Sequence, residues 1–317
     1  MQTTHHAHAN FKRKEKKYVL DKGDYLALMG LIGDKLEEDE YAYSHIESLY
    51  YDTPDWRMIN RSMEKPLYKE KLRVRVYGTM GEKQTGKLDQ VAFVELKKKF
   101  KGIVYKRRIG MSLKGALAFM DGINYEDAMA AYPPTSNNLE LEPTWRDKQI
   151  ASEIRACIER WQPLGPAMII AVDRMSLRTN DGSGVRMTFD FDSRWRTSPL
   201  GFGEAEGEQL MPNNEIILEI KAQGAYPLWL VHALDRAKIY PVSNTKYGRA
   251  YRAAFPLQPA LTSTPQGLEP NGCGTHAAAT TTTAPRNSPA VTAATTTASS
   301  ATATTTAASE SLDKAIA

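Results

Sequence analysis

The sequence K-L-R-V-R-V-Y occupies residues 71–77, and F-V-E-L-K follows at residues 93–97. Successive side chains of a β-strand point to opposite faces of the sheet. In the first segment, Lys71, Arg73 and Arg75 therefore share one face, while the leucine and the two valines share the other. The pattern predicts a strand with one apolar face and one row of cations.

The same alternation occurs in other segments. Residues 103–109 place Lys106 and Arg108 opposite apolar residues, after a tight turn expected at Lys101 and Gly102. Residues 167–178, 185–192 and 216–221 repeat the arrangement with ionic groups of both signs. At least six strands are therefore expected, each apolar on one face and ionic on the other.

Two architectures fit these strands. The charged rows face solvent on an open sheet, or they line the inside of a closed barrel whose apolar outer surface is covered by helices. Helical segments are interspersed among the strands, and an open sheet would leave long edges that proteins usually avoid. We therefore predict an α+β fold in which a closed antiparallel β-barrel forms a tunnel with a charged lumen and helices packed outside.

The composition divides the 317-residue chain into three parts. Residues 1–10 are expected to form a flexible N-terminus, residues 11–256 the tunnel domain, and residues 257–317 a disordered Ala/Thr-rich tail with few large apolar residues. The sequence has two cysteines, no signal-peptide pattern and no apolar run long enough to span a bilayer. A cytoplasmic protein is therefore expected.

The distribution of charge indicates the chemistry of the partner. The formal net charge is +4, yet the cations are clustered along the chain. Such clusters indicate an anionic partner, and a charged lumen is costly unless an anionic ligand and a metal neutralise it. Nucleic acid is not expected, because aromatic residues do not interleave with the cations as stacking platforms.

Nine short motifs extend from about residue 11 to residue 251. They are E-K-K-Y (15–18), S-L-Y-Y-D-T (48–53), K-L-R-V-R-V-Y (71–77), V-E-L-K (94–97), Y-K-R-R (105–108), D-R-M-S-L-R (173–178), V-R-M-T-F-D (185–190), L-E-I-K (218–221) and S-N-T-K-Y (243–247). In this order they resemble the polyphosphate polymerase domain of the VTC (vacuolar transporter chaperone) family, within the wider CYTH-like group of triphosphate tunnel metalloenzymes. No single motif is specific, whereas the ordered set is.

The resemblance implies a tunnel in which lysine and arginine side chains hold a row of phosphates and a glutamate binds Mn²⁺ or Mg²⁺. It implies that Glu219 is the metal ligand, with Glu95 and Glu15 as candidates for a second one. It implies catalytic roles for Arg73, Arg75, Lys97, Arg174 and Lys246, and phosphate binding by Lys17, Lys106, Arg108 and Arg186.

The implied activity is that of a phosphotransferase that passes the γ-phosphoryl group of ATP to a growing inorganic polyphosphate chain. If water is the acceptor, the same site is a triphosphatase. A non-catalytic module that binds polyphosphate or another polyanion is a further hypothesis. Eukaryotic relatives carry an SPX module and membrane helices, and neither pattern occurs in this sequence. Coupling to membrane transport would therefore need a membrane partner, whose identity is unknown.

The same residues have structural interpretations. Arg73 and Arg75 fit solvated strand positions, Glu219 fits an ion pair with Lys221 or a nearby arginine, and Lys246 fits an ordinary loop lysine. In the tunnel interpretation, alanine in place of Arg73 or Arg75 abolishes activity and leaves the melting temperature unchanged or raised, because crowded like charges are relieved.

Overall fold

The computed structural model describes residues 14–80, 86–134 and 143–256. The segments expected to be a flexible N-terminus (1–10) and a disordered tail (257–317) lie outside these ranges. The strands within them are β1 (Lys14–Leu20), β2 (Leu36–Asp52), β3 (Tyr68–Gly78), β4 (Val91–Phe100), β5 (Ile103–Ser112), β6 (Gly165–Thr179), β7 (Arg186–Arg196), β8 (Glu208–Gln209) and β9 (Ile216–Ala222). The helices are α1 (Lys22–Ile32), α2 (Arg57–Met63), α3 (Leu113–Met120), α4 (Tyr125–Ala131), α5 (Trp145–Arg160), α6 (Leu228–Arg236) and α7 (Lys246–Ala254).

The described strands form one antiparallel sheet. Its order is β1-β9-β7-β6-β2-β3-β4-β5, and the short β8 pairs with β7. The 17-residue β2 is central, with β3 on one side and β6 on the other. The turn between β4 and β5 forms at Lys101 and Gly102, both with positive φ, as a two-residue hairpin requires. The prediction of a tight turn at these residues is confirmed.

The alternation in the sequence is reproduced by the burial of side chains. Leu72, Val74 and Val76 of β3 are fully buried on the outer face of the sheet. They pack in one cluster with residues of α3 and α5, including Phe119 and Ile154. Burial of each such side chain stabilises the fold by about 1.5–3 kcal/mol. The cationic residues of β3 consequently face the opposite, concave side.

A second apolar cluster covers the other end of the sheet. It joins outward residues of β1, β7 and β9 to α1 and α6. Tyr25 of α1 packs edge-on against Phe189 and Phe191, with ring centroids 5.3 and 5.6 Å apart. Helix α1 begins where Asp21 and Asp24 form a capping box, a strong N-terminal signal. In the described part of the chain, no helix combines the length and the hydrophobicity needed to cross a membrane.

Helix α7 differs from the expectation that helices pack outside the sheet. Tyr247, in its first turn, stacks on Tyr50, and the ring centroids are 4.3 Å apart. Both rings belong to a cluster that contains Ile46 and Ile170, whose side chains also line the concave face. An apolar patch on the inner face of β2 and β6 thus gives α7 a surface to pack on inside the curve of the sheet.

The sheet is curled, but its hydrogen bonds do not close it. Among the described residues, strand pairing ends at β1 on one side and at β5 on the other. Side chains of both edge strands nevertheless line one cavity. The free edge of β1 is partly occupied by Val242, whose N–H donates to the carbonyl of Lys17 at 2.7 Å. The fold is therefore α+β, as predicted, with a curled open sheet in place of the predicted closed barrel.

Candidate functional site

The concave face of the sheet surrounds a cavity of about 410 Å³. Seven strands and the start of α7 contribute to its lining. Among the described residues, nine cationic side chains and three glutamates line it, which gives the cavity a large excess of positive charge. The cations are Lys17, Lys71, Arg73, Arg75, Lys97, Lys106, Arg174, Lys221 and Lys246, and the glutamates are Glu15, Glu95 and Glu219.

Ten of the twelve residues selected from the sequence lie on this lining. The two exceptions are Arg108 and Arg186. The guanidinium of Arg108 lies 4.1 Å from the ring centroid of Phe93. Arg186 is half-exposed and donates to Asp39 at 3.0 Å. The structure thus brings together residues from distant parts of the chain, and their individual roles remain predictions.

Glu95 of β4 organises the cations on one wall of the cavity. It is 2% exposed, and its oxygens accept from Arg73 Nε at 2.8 Å, Lys106 Nζ at 2.8 Å and Arg108 Nε at 2.6 Å. Burial opposes ionisation, but the charges of Arg73, Arg75, Lys106 and Arg108 outweigh it and hold the pKa of Glu95 far below its usual range. Three cations thus contact the oxygens of Glu95, and its predicted role as a second metal ligand remains a prediction.

Asp190 of β7 is not on the lining, but it contacts the lining cations Arg174 and Lys246. Its carboxylate is fully buried and accepts two hydrogen bonds from Arg174, at 2.6 and 2.9 Å. Lys246 Nζ contacts the same group. Burial raises the pKa of Asp190, yet Arg174 and Lys246 lower it more, so the carboxylate stays ionised. A forked arginine held in this way is fixed in orientation before any ligand binds.

Two glutamates flank Lys17 where β1 pairs with β9. Glu219 lies directly opposite Lys17 in the strand register and contacts its ammonium group. Glu15 Oε1 lies 3.0 Å from the same nitrogen, and Lys221 Nζ lies 2.6 Å from Glu219 Oε1. Glu219 therefore makes the ion pair with Lys221 that the structural interpretation described. It also faces the cavity, as a metal ligand must.

The donor groups around Glu219 determine which kind of metal site fits. In the described ranges, no group of three or more His, Cys, Asp or Glu side chains is arranged to hold a metal ion. The protein therefore does not provide an all-protein metal cage there. Mg²⁺ commonly binds through one or two carboxylates together with substrate phosphates. Glu219 and Glu15, which both contact Lys17 Nζ and line the cavity, have the carboxylate donors that such a site uses.

Other cations on the lining are less compensated by carboxylates. Arg75 Nε donates to the hydroxyl of Ser48 at 2.9 Å, and Lys71 Nζ donates to Thr245 Oγ1 at 3.0 Å. Burial, together with Lys97 and other nearby cations, lowers the pKa of Lys71 to about 8 despite the opposing effect of Tyr50. The cations of the lining therefore repel one another, and an anion in the cavity would reduce this repulsion.

Tyr50 is not among the site residues selected from the sequence. Its hydroxyl lies on the cavity lining and accepts from Arg73 at 2.9 Å. Burial raises the pKa of Tyr50, but the positive charges of Arg73, Arg75 and Lys71 have the larger effect and lower this pKa to about 8. Tyr50 and Arg73 are 23 residues apart in sequence, and the pairing of β2 with β3 brings them together. The sequence alone does not reveal this pairing, so Tyr50 was missed. Lys71 carried a detectable signal, since it shares the face of Arg73 and Arg75.

The sequence model of the VTC domain matches residues 12–255. The chain belongs to the VTC domain family. The resemblance based on the nine motifs is therefore confirmed. The cavity described above lies entirely within the VTC domain.

Solved structures with a similar backbone are distant in sequence. An adenylyl cyclase candidate from Hippeastrum with a dominant triphosphatase activity is 11% identical at a TM-score of 0.41, over 76% of this chain and 95% of its own. A protein from Pyrococcus horikoshii OT3 is 11% identical at a TM-score of 0.36, over 76% and 99%. An adenylate cyclase candidate from Vibrio parahaemolyticus is 10% identical at 0.35, over 75% and 97%. No curated protein matches the chain.

Proposed function

We propose that this VTC-domain protein is a polyphosphate polymerase that uses ATP and a divalent cation, Mn²⁺ or Mg²⁺. The observation that supports this proposal is the lining of nine cations against three glutamates, within a domain of the VTC family. Transition states of phosphoryl transfer are stabilised by cations around the phosphoryl oxygens, with little covalent help from the protein. An enclosed surface with this charge excess suits consecutive phosphates better than a single one.

Each wall of the cavity has a distinct part in the proposed reaction. Arg73, fixed by Glu95, and Arg174, fixed by Asp190, present rigid guanidinium groups to the phosphoryl oxygens. Arg75 adds charge that no described carboxylate balances within salt-bridge distance. A divalent ion held by Glu219 would neutralise negative charge on the phosphates when it is bound.

The transfer balances without a further reactant. The bond between the γ-phosphorus and the β,γ-bridging oxygen of ATP breaks, and ADP leaves with that oxygen. A new bond forms between the γ-phosphorus and a terminal oxygen of the polyphosphate chain, which becomes one phosphate longer. The terminal oxygen is already anionic at neutral pH, so no protein base has to remove a proton from it.

The test is incubation of the purified protein with ATP and Mn²⁺, following long-chain polyphosphate on a gel and free phosphate in solution. Glu219→Gln is expected to abolish chain formation, because it removes a carboxylate from the proposed metal site. Glu37→Gln is the matched control, since Glu37 forms an exposed ion pair with Arg178 away from the cavity. Phosphate without chains would identify a triphosphatase. Binding of polyphosphate without any turnover would identify a binding module.

A further inference from the structure

The side chain of Asn244 is a buried polar group on the cavity lining. The residue is 8% exposed, and its Nδ2 has no hydrogen-bond partner within the described residues. A buried donor left unpaired costs about 1–3 kcal/mol, and nearly all such groups in proteins have a partner. The free amide therefore indicates that a ligand supplies the missing acceptor.

The neighbours of Asn244 have their polar groups occupied by the protein itself. Thr245 Oγ1 accepts from Gly248 N at 3.1 Å, which caps α7, and from Lys71 Nζ at 3.0 Å. Lys246 Nζ contacts Asp190. Asn244 thus lies where the chain enters α7, and the positive end of the helix dipole adds to the attraction for an anion at this point.

In the part of the chain that the structure describes, the other buried polar atoms without a partner belong to residues that are not on the cavity lining. Within the described ranges they belong to Gln90, Thr188, Ser193 and Trp195, and none of these side chains is on the lining. Asn244 alone among the described residues combines an unpaired buried donor with a position on the cationic surface. This coincidence separates it from an ordinary packing defect.

We propose that Asn244 is a contact residue for the phosphate chain, and that its side-chain amide donates a hydrogen bond to a phosphate oxygen in the cavity. This inference rests on the proposed function. The cations of the lining act through charge, whereas an uncharged amide requires an acceptor in a defined direction. Asn244 therefore positions one phosphate group within the field that the cations generate.

The test is calorimetric binding of tripolyphosphate to the full chain without ATP. Asn244→Ala is expected to raise the dissociation constant by about ten- to hundredfold, as for loss of one hydrogen bond to a charged group. Because the side chain that is removed carries no charge, the ratio of the dissociation constants of Asn244→Ala and wild type should be the same at low and high salt. Lys71→Met, in contrast, should reduce the slope of affinity against salt.

Melting curves separate a ligand contact from a structural role. Because an unpaired group is removed, the melting temperature of the ligand-free Asn244→Ala protein should be unchanged or raised. The increase in melting temperature on addition of tripolyphosphate should be smaller than for wild type. The nearly isosteric Asn244→Asp should bind more weakly still, because its carboxylate repels phosphate. Gln90→Ala, which removes an unpaired amide that is not on the cavity lining, is the control and should bind as wild type does.

The results distinguish this inference from the proposed function. If wild type binds tripolyphosphate and Asn244→Ala and Asn244→Asp bind equally well, Asn244 makes no contact and the inference is wrong, while the polymerase proposal stands. If the free Asn244→Ala protein melts at a clearly lower temperature, the residue is structural. If wild type binds no tripolyphosphate, both proposals fail.

Discussion

Arg73 and Arg75 lie two residues apart on one face of β3, yet their surroundings shift their pKa values in opposite directions. Burial disfavours the charged form of both. For Arg73, Tyr50 and Glu95 outweigh burial and raise the pKa. For Arg75, burial and the charge of Arg73 lower the pKa despite Glu95. The alternating pattern of the sequence does not distinguish the two arginines. The register of β3 with β4 does, because it places Glu95 directly opposite Arg73.

We predict that alanine at either arginine abolishes polymerase activity, with different effects on stability. Arg73→Ala should destabilise the protein by about 1–3 kcal/mol, because buried Glu95 loses a hydrogen-bonded partner. Arg75→Ala should leave the free energy of unfolding unchanged or raise it, since it relieves repulsion. Urea unfolding of both variants without ligand measures the difference. Equal destabilisation of the two variants would contradict this assignment.

Asp52 connects three elements around the apolar side of the cavity. The residue ends β2 and is 2% exposed. Its carboxylate accepts from the N–H groups of Met58 and Ile59 at the start of α2, at 2.9 and 3.1 Å. It also accepts from the hydroxyl of Tyr247 in α7 at 2.8 Å. One side chain thus determines where α2 begins and where the aromatic ring that stacks on Tyr50 is held.

Replacement of Asp52 by asparagine should destabilise the protein by about 1–3 kcal/mol, because the amide NH₂ cannot accept the hydrogen bonds that one carboxylate oxygen accepts. Thermal unfolding followed by circular dichroism measures the loss. Asp55→Asn is the matched control, because Asp55 is exposed near the start of the same helix and pairs only with Arg57 among the described ion pairs. A change at Asp55 as large as that at Asp52 would show that the effect is not specific to the buried network.

Burial and neighbouring charges shift the pKa values of three cavity groups, Lys17, Lys71 and Tyr50. Burial, with the charges of Lys246 and Lys97, lowers the pKa of Lys17 to about 8 against the opposing effect of Glu15. Lys71 and Tyr50 also have a pKa of about 8. As pH rises through this value, both lysines lose positive charge and the tyrosine gains negative charge. All three changes weaken attraction for an anion.

We therefore predict that the affinity for tripolyphosphate falls several-fold between about pH 7 and about pH 9, and that binding near pH 8 takes up protons. Calorimetry in buffers of different ionisation enthalpy measures the uptake. Lys71→Arg should show a weaker dependence on pH, because arginine stays protonated throughout this range. An affinity of wild type that does not change over the interval would contradict the assigned pKa values.

The sequence by itself determined much of the fold and of the site. A period of two is a local property of the chain, so the strands, their apolar faces and their cationic faces followed directly from segments such as residues 71–77. For the same reason, most residues selected from the motifs face one cavity.

Only the tertiary structure decided how the charges are paired and how the sheet ends. Glu95 binds Arg73, and Asp190 binds Arg174 and Lys246, because of strand register and helix position, which join residues far apart in sequence. The same long-range packing places α7 on the concave face, and Val242 at the edge of β1 in place of β5. Such contacts depend on the relative positions of whole elements, and local alternation of side chains carries no information about them.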